Sequence, residues 1–166
     1  MFNLRRYELK PIPWNHVHDW TCIRCGSCCK YTVQLTTFEW LKLTQQYGFH
    51  IAHNRLDGFY LRKTVDNRCP FLYSSHNGHI CGLQRTKPLA CKLWPFRVRS
   101  EPLVKGQRDG YFRYHNHTFF IYVNPQCPGI TYGKPTQAFQ TKILPEFLNI
   151  RLGTQHRQFY TTSKAP

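Results

Sequence analysis

Cysteine spacing constrains this chain more than any other feature of it. Four of its eight cysteines sit within eight residues, Cys22-Ile23-Arg24-Cys25-Gly26-Ser27-Cys28-Cys29. Thiolates are soft metal ligands, and a two-residue spacer lets a pair of them turn back toward one centre. Gly26 suits such a loop because it takes positive φ without a Cβ clash. Cys28 and Cys29 are adjacent, so their side chains diverge, and one of the two serves a different metal or is left over. An even cysteine count also fits a disulfide framework. Against that framework stand the absence of a secretory signal at the start, a length that needs no staples, and spacings too tight for easy pairing. A disulfide wants Cα atoms roughly 5.5 Å apart with facing Cβ vectors, which sequence neighbours supply poorly. Metal ligation is the expectation.

The 166 residues suit a single domain and are enough to bury a core. The hydrophobic share is 41%, and twelve Phe, ten Tyr and four Trp supply large buried area per residue. Met1-Phe-Asn-Leu-Arg-Arg6 has charge with no apolar stretch behind it, so no signal peptide is expected. No apolar run approaches the roughly twenty residues of a membrane span. A cytoplasmic protein in a reducing compartment follows as the expectation. The formal charge of +15 makes the surface basic and favours an acidic protein or nucleic acid as partner. Thiolates bound to metal offset part of that excess. The basic residues are spread without a run of five or six, which is the pattern of a solvated basic surface.

Along the chain, residues 1–19 read as an irregular arm, broken by Pro11 and Pro13 and packed back by Trp14 and Trp20. Lys30–Leu35 alternates and reads as a strand. Thr36-Thr-Phe-Glu39 matches a capping box, so a helix should follow, burying Phe38, Leu41 and Tyr47 and stopping at Gly48. Phe59–Leu61 reads as a strand after the Asp57-Gly58 turn. Asn77-Gly78 between two apolar runs predicts a type I′ hairpin carrying Cys69 and Cys81 at comparable heights on facing strands. Pro88 and Pro95 bracket a short helix containing Cys91. Phe96–Arg99 and Tyr111–Val123 read as strands, with His115–His117 as a turn. Phe139, Ile143 and Phe147 line one face of a final helix strained by Pro145. The expected fold is α+β, one domain over 1–166 with a core at 20–133, an N-terminal arm at 1–19 and a helical tail at 134–166. Short antiparallel strands and a few helices would surround a cysteine-ligated metal site.

Four pieces coincide in order and spacing: Trp20-Thr-Cys-Ile-Arg-Cys-Gly-Ser-Cys-Cys29, Cys69-Pro-Phe-Leu72, Lys87-Pro-Leu-Ala-Cys-Lys-Leu-Trp-Pro-Phe96 and Cys127-Pro-Gly129. Together they resemble the CxxCxxCC cysteine-cluster family of zinc- or iron-chelating domains, from about Trp20 to Gly133. Lys87 and Lys92 stand where that family usually has Arg, and Trp94 where it usually has Tyr. Lysine lacks the bidentate fork of a guanidinium. The resemblance implies that Cys22, Cys25, Cys28, Cys29, Cys69, Cys81, Cys91 and Cys127 are metal ligands, and it favours an iron–sulfur cofactor. Cys22, Cys25 and Cys28 resemble the first three ligands of a ferredoxin-type run, with a distant cysteine, Cys91 or Cys81, as the fourth of a [4Fe–4S] cluster. We take Cys91 for that place. Zinc is the alternative, as two Cys₄ sites that use every thiol; spacing permits both.

Two other functions are open to the same chain. A related cysteine region in the flagellin lysine N-methylases suggests an enzyme of protein-lysine methylation or redox chemistry. The chain lacks a glycine-rich nucleotide loop, and its cysteine spacing differs from the CxxxCxxC of radical-SAM enzymes. His16, His18, His76, His79, His115 and His117 could supply bases or further ligands, although such pairs are more often surface turn residues. Tyr111–Tyr122, where aromatics alternate with cations, could form a base-stacking face of a nucleic-acid module. Alternating aromatics more often line a core on one side.

Overall fold

In chain order the strands are β1 (Ile12–Pro13), β2 (Val17–Trp20), β3 (Gln34–Leu35), β4 (Ala52–Arg55), β5 (Gly58–Leu61), β6 (Leu72–Ser75), β7 (Gly78–Cys81), β8 (Phe96–Arg99), β9 (Tyr111–Tyr114), β10 (His117–Val123) and β11 (Ile130–Tyr132). The α-helices are α1 (Thr37–Tyr47), α2 (Leu89–Leu93) and α3 (Leu144–Leu152). This is the α+β arrangement of short antiparallel sheets that the sequence suggested. The computed structural model describes residues 10–84 and 86–160; the parts of the expected arm and tail at 1–9 and 161–166 lie outside the described residues.

Helix α1 begins where the capping box places it. Thr36 Oγ1 accepts the Glu39 N–H at 3.2 Å, and Glu39 Oε2 accepts the Thr36 N–H at 2.9 Å. The other oxygen of Glu39 accepts the Leu89 N–H at 2.6 Å, so one carboxylate satisfies orphan donors of both α1 and α2. The inward face differs from expectation. Phe38 and Leu41 are 74% and 53% exposed, whereas Leu43 and Thr44 are buried and Trp40 and Tyr47 pack beside them. Positions 40, 43, 44 and 47 are the i, i+3, i+4, i+7 stripe of this helix. The hydroxyl of Thr44, which makes that stripe hard to see in the sequence, donates back to the Trp40 carbonyl at 2.8 Å.

Two hydrophobic clusters carry the fold. The first gathers Val17, Trp20, Phe96, Ile121, Val123 and Ile130 from the strands with Phe139, Ile143, Leu144, Phe147 and Leu148 from the C-terminal helical segment. Its main sheet runs β1-β10-β8, with β9 also paired to β10. Phe112, Tyr114 and Phe119 of the aromatic run pack against this cluster, so that run lines a core. Arg97, Arg99 and Arg113 stand exposed between the inward positions of their strands. The second cluster joins Val33, Leu35, Leu43, Ile51, Ala52, Leu61, Phe71 and Leu83, built on the β3-β5-β4 sheet and α1.

Several expected elements shift. The strand placed over Lys30–Leu35 shrinks to β3, because Ser27–Lys30 form a 3₁₀ turn that uses up its first residue. The β6–β7 hairpin pairs Ser75 with Gly78, so its two-residue loop is His76-Asn77, one step before the Asn-Gly pair. Leu72, and not Cys69, stands opposite Cys81. Cys69 precedes the hairpin, and its N–H donates to the Cys29 carbonyl at 3.0 Å. The arm is more ordered than its prolines imply over its described part: β1 is an edge strand on β10, where a missing N–H costs no central ladder bond. Pro145 is absorbed by a wide π-type turn over Phe139–Ile143, which places it at the start of α3. Phe139, Ile143 and Phe147 all face inward as read.

Replacing Thr36 by Ala should lower the unfolding free energy by about 1 kcal/mol, within the 0.5–2 kcal/mol range of lost caps. Urea denaturation of the metal-loaded protein measures it, and an unchanged midpoint would show that the cap contributes nothing.

Candidate metal centre

The eight cysteines are all free thiols, and all eight line one cavity of about 120 Å³. The cavity lies where the two hydrophobic clusters meet. Cys127 belongs to the first cluster and Cys22 packs on it, whereas Cys69, Cys81 and Cys91 pack on the second. Cys28 and Cys29 sit on the 3₁₀ turn between them, which Gly26 opens with φ +70°.

Electrostatic contact sorts the thiols into two sets. Cys28, Cys69, Cys81 and Cys91 each lie within reach of the other three, although they come from four separate places in the chain: the 3₁₀ turn, the segment before β6, the end of β7 and α2. Cys29 joins this set through hydrogen bonds to Cys28 and Cys69. Cys127 is in reach of Cys25 and Cys22. The set Cys22, Cys25, Cys28 and Cys91 read from the ferredoxin-type spacing therefore draws on both.

The first set is tuned by one shared proton and two lysines, Lys63 acting on Cys69 and Lys87 on the other three. The Cys29 thiol donates toward both neighbours, and this lowers Cys28 and Cys69 to about 7 each while holding Cys29 itself protonated far above the usual thiol range. Burial pushes Cys91 and Cys81 up. Lys87, also on the cavity wall, pulls Cys28, Cys81 and Cys91 toward the thiolate. In the second set, burial raises Cys127, and the Trp20 indole N–H, donating to its sulfur at 3.3 Å, works in the opposite direction.

The donor chemistry fits a thiophilic metal: eight soft ligands, a nearby cation and no competing disulfide. The thiols stand around the wall. Among the described residues, no three Cys, His, Asp or Glu side chains meet at one point as the ligands of a single ion do. Trp20, Lys87, Trp94 and Gln158 complete the lining. Gln158 was invisible to sequence reading because it arrives from the far C-terminal segment. The buried Glu146 carboxylate brings it there by accepting the Phe159 and Tyr160 N–H groups at 2.8–3.0 Å. Of the histidines, His16, His18, His76, His115 and His117 are exposed, although His18 and His117 lie on strands β2 and β10 and not in turns. His79 is not: it lines the cavity.

The model of the CxxCxxCC family, described as a putative zinc- or iron-chelating domain, matches residues 21–128, a span that contains all eight cysteines. The chain belongs to this family. Comparison with curated proteins and with solved structures gave no match.

Close approach at Gly129 seats the last cysteine of this CxxCxxCC protein. The Thr21 N–H donates to the Gly129 carbonyl at 3.0 Å, and a Cβ built on Gly129 would lie 2.1 Å from the Thr21 carbonyl oxygen. That neighbour is backbone and cannot swing away. Gly129→Ala should cost about 1–3 kcal/mol, as overpacked sites do, and lower Tm by roughly 2–4 °C per kcal/mol. Thermal unfolding of the metal-loaded protein reads this, and a wild-type Tm would show that the β2–β11 junction gives way freely.

Proposed function

We propose that this chain is an iron–sulfur protein, with one [4Fe–4S] cluster held by Cys28, Cys69, Cys81 and Cys91. The reading is supported above all by the place of these four thiols, drawn from four separate segments, on the wall of one cavity. When bound, such a cluster supplies one-electron chemistry at a potential set by charge, hydrogen bonds to sulfur and exposure. The chain's own part is to hold and shield. Lys87 offsets the negative charge of the thiolates, Val33, Leu61 and Leu83 make the wall apolar, and Cys29 donates toward Cys28 and Cys69.

Protein purified without oxygen should be brown, with broad visible absorbance in the manner of thiolate-bound clusters, and should contain iron and acid-labile sulfide. Colourless protein carrying two zinc ions would overturn the cluster in favour of two thiolate zinc sites.

The metal is also expected to support the fold. Its ligands come from segments as distant as Cys28 and Cys91, and structural zinc in small peptides contributes about 10–16 kcal/mol to folding. That equals a typical domain's whole stability of about 5–15 kcal/mol. Chelation under reducing conditions should therefore collapse the near-ultraviolet circular dichroism of rings near the cavity, including Trp20 and the Tyr31–Trp94 stack at 4.3 Å. A spectrum unchanged after metal removal would show that the hydrophobic clusters hold the arrangement alone.

A further inference from the structure

The set formed by Cys22, Cys25 and Cys127 has three thiols, one short of the four ligands that closed thiolate sites use. The missing donor has a candidate on the wall of the same cavity. His79 sits on β7, two residues before Cys81, and its ring lines the same cavity as the three thiols. Its Nδ1 is buried and has no hydrogen-bond partner among the described residues, the one side-chain nitrogen or oxygen of which this holds. A buried imidazole nitrogen left unpaired loses its water without gaining a partner, so such an atom calls for an explanation.

The backbone places this ring beside the Cys22–Cys25 loop. The His79 N–H donates to the Arg24 carbonyl at 2.9 Å, which extends the hairpin onto the loop between its two cysteines. The imidazole then covers Gly26, where an added Cβ would come within 2.8 Å of its Cδ2. Glycine at 26 thus serves twice, once for its positive φ and once to admit the ring.

Building on the metal-binding reading, we propose that His79 is a metal ligand. Through Nδ1 it completes a second centre with Cys22, Cys25 and Cys127, a thiolate–imidazole site of the class that takes zinc or iron. Three thiolates and one neutral imidazole are an established ligand set for such ions. Like the thiols of the first set, these donors stand on the wall without meeting at a point. Occupying them takes rotation of side chains and leaves the hairpin pairing intact.

X-ray absorption at both the iron and zinc edges of the anaerobically purified full chain tests the assignment. One edge should show a nitrogen shell with imidazole scattering beside sulfur, and which edge carries it identifies the ion. His79→Phe keeps a ring over Gly26 but removes the nitrogen. It should lose that shell and lower metal affinity at this centre by at least ten- to a hundredfold, the cost of losing even an outer partner. His79→Cys should restore affinity with a sulfur-only shell. Sulfur-only coordination at both edges of the wild-type protein, or a His79→Phe variant with unchanged metal content and shell, overturns the role of His79 and leaves the cluster reading standing. Wild-type protein that binds neither metal overturns both.

Discussion

Everything in this molecule converges on the seam between two hydrophobic clusters, where eight thiols line one cavity. One cluster consists of the β10 sheet and the C-terminal helical segment; the other consists of the β3–β5 sheet and α1. Each buries aromatic and aliphatic surface that favours folding. The seam itself is paved with sulfur and a few polar groups. Free cysteine packs as a small apolar residue while it is a thiol, but ligation demands the thiolate, whose burial is costly without a cation. A bound metal of the kind this family chelates supplies the charge that such thiolates need.

The arrangement around the thiols shows how the conflict is eased. Lys87 reaches the cavity wall from the turn before α2 and favours the charged forms of Cys28, Cys81 and Cys91. Cys29 keeps its proton and offers it to two neighbours, which explains how adjacent cysteines can have different tasks. Trp20 donates to Cys127 from the first cluster. A lysine suffices at position 87 because its effect there is that of a point charge, for which the fork of an arginine is not required.

The C-terminal segment shows a different economy. Glu146 is 2% exposed on α3, and its oxygens are spent on the main-chain N–H groups of Phe159 and Tyr160. Through this contact, and through the Gln158 side chain donating to the Lys92 carbonyl at 3.1 Å, the chain returns to the cavity after α3. The residues beyond the matched family segment thus take part in the wall of the site they follow.

Local chemistry made much of this legible in advance. The capping box, the prolines around α2, the Gly26 loop and the inward spacing of Phe139, Ile143 and Phe147 depend on nearest neighbours, and they stand as read. Where the reading slipped, a contact distant in sequence decided the outcome. The inward face of α1 was set by the β3–β5 sheet beneath it, and a threonine lies in the buried stripe. The hairpin register differs by one residue, and the β7 backbone also donates from His79 to the Arg24 carbonyl. The sequence by itself determined the family and its metal-chelating character, since residue type and spacing carry that chemistry. Only the tertiary structure decided that all eight thiols and His79 would line one cavity, because they come from segments that meet through packing of the two clusters.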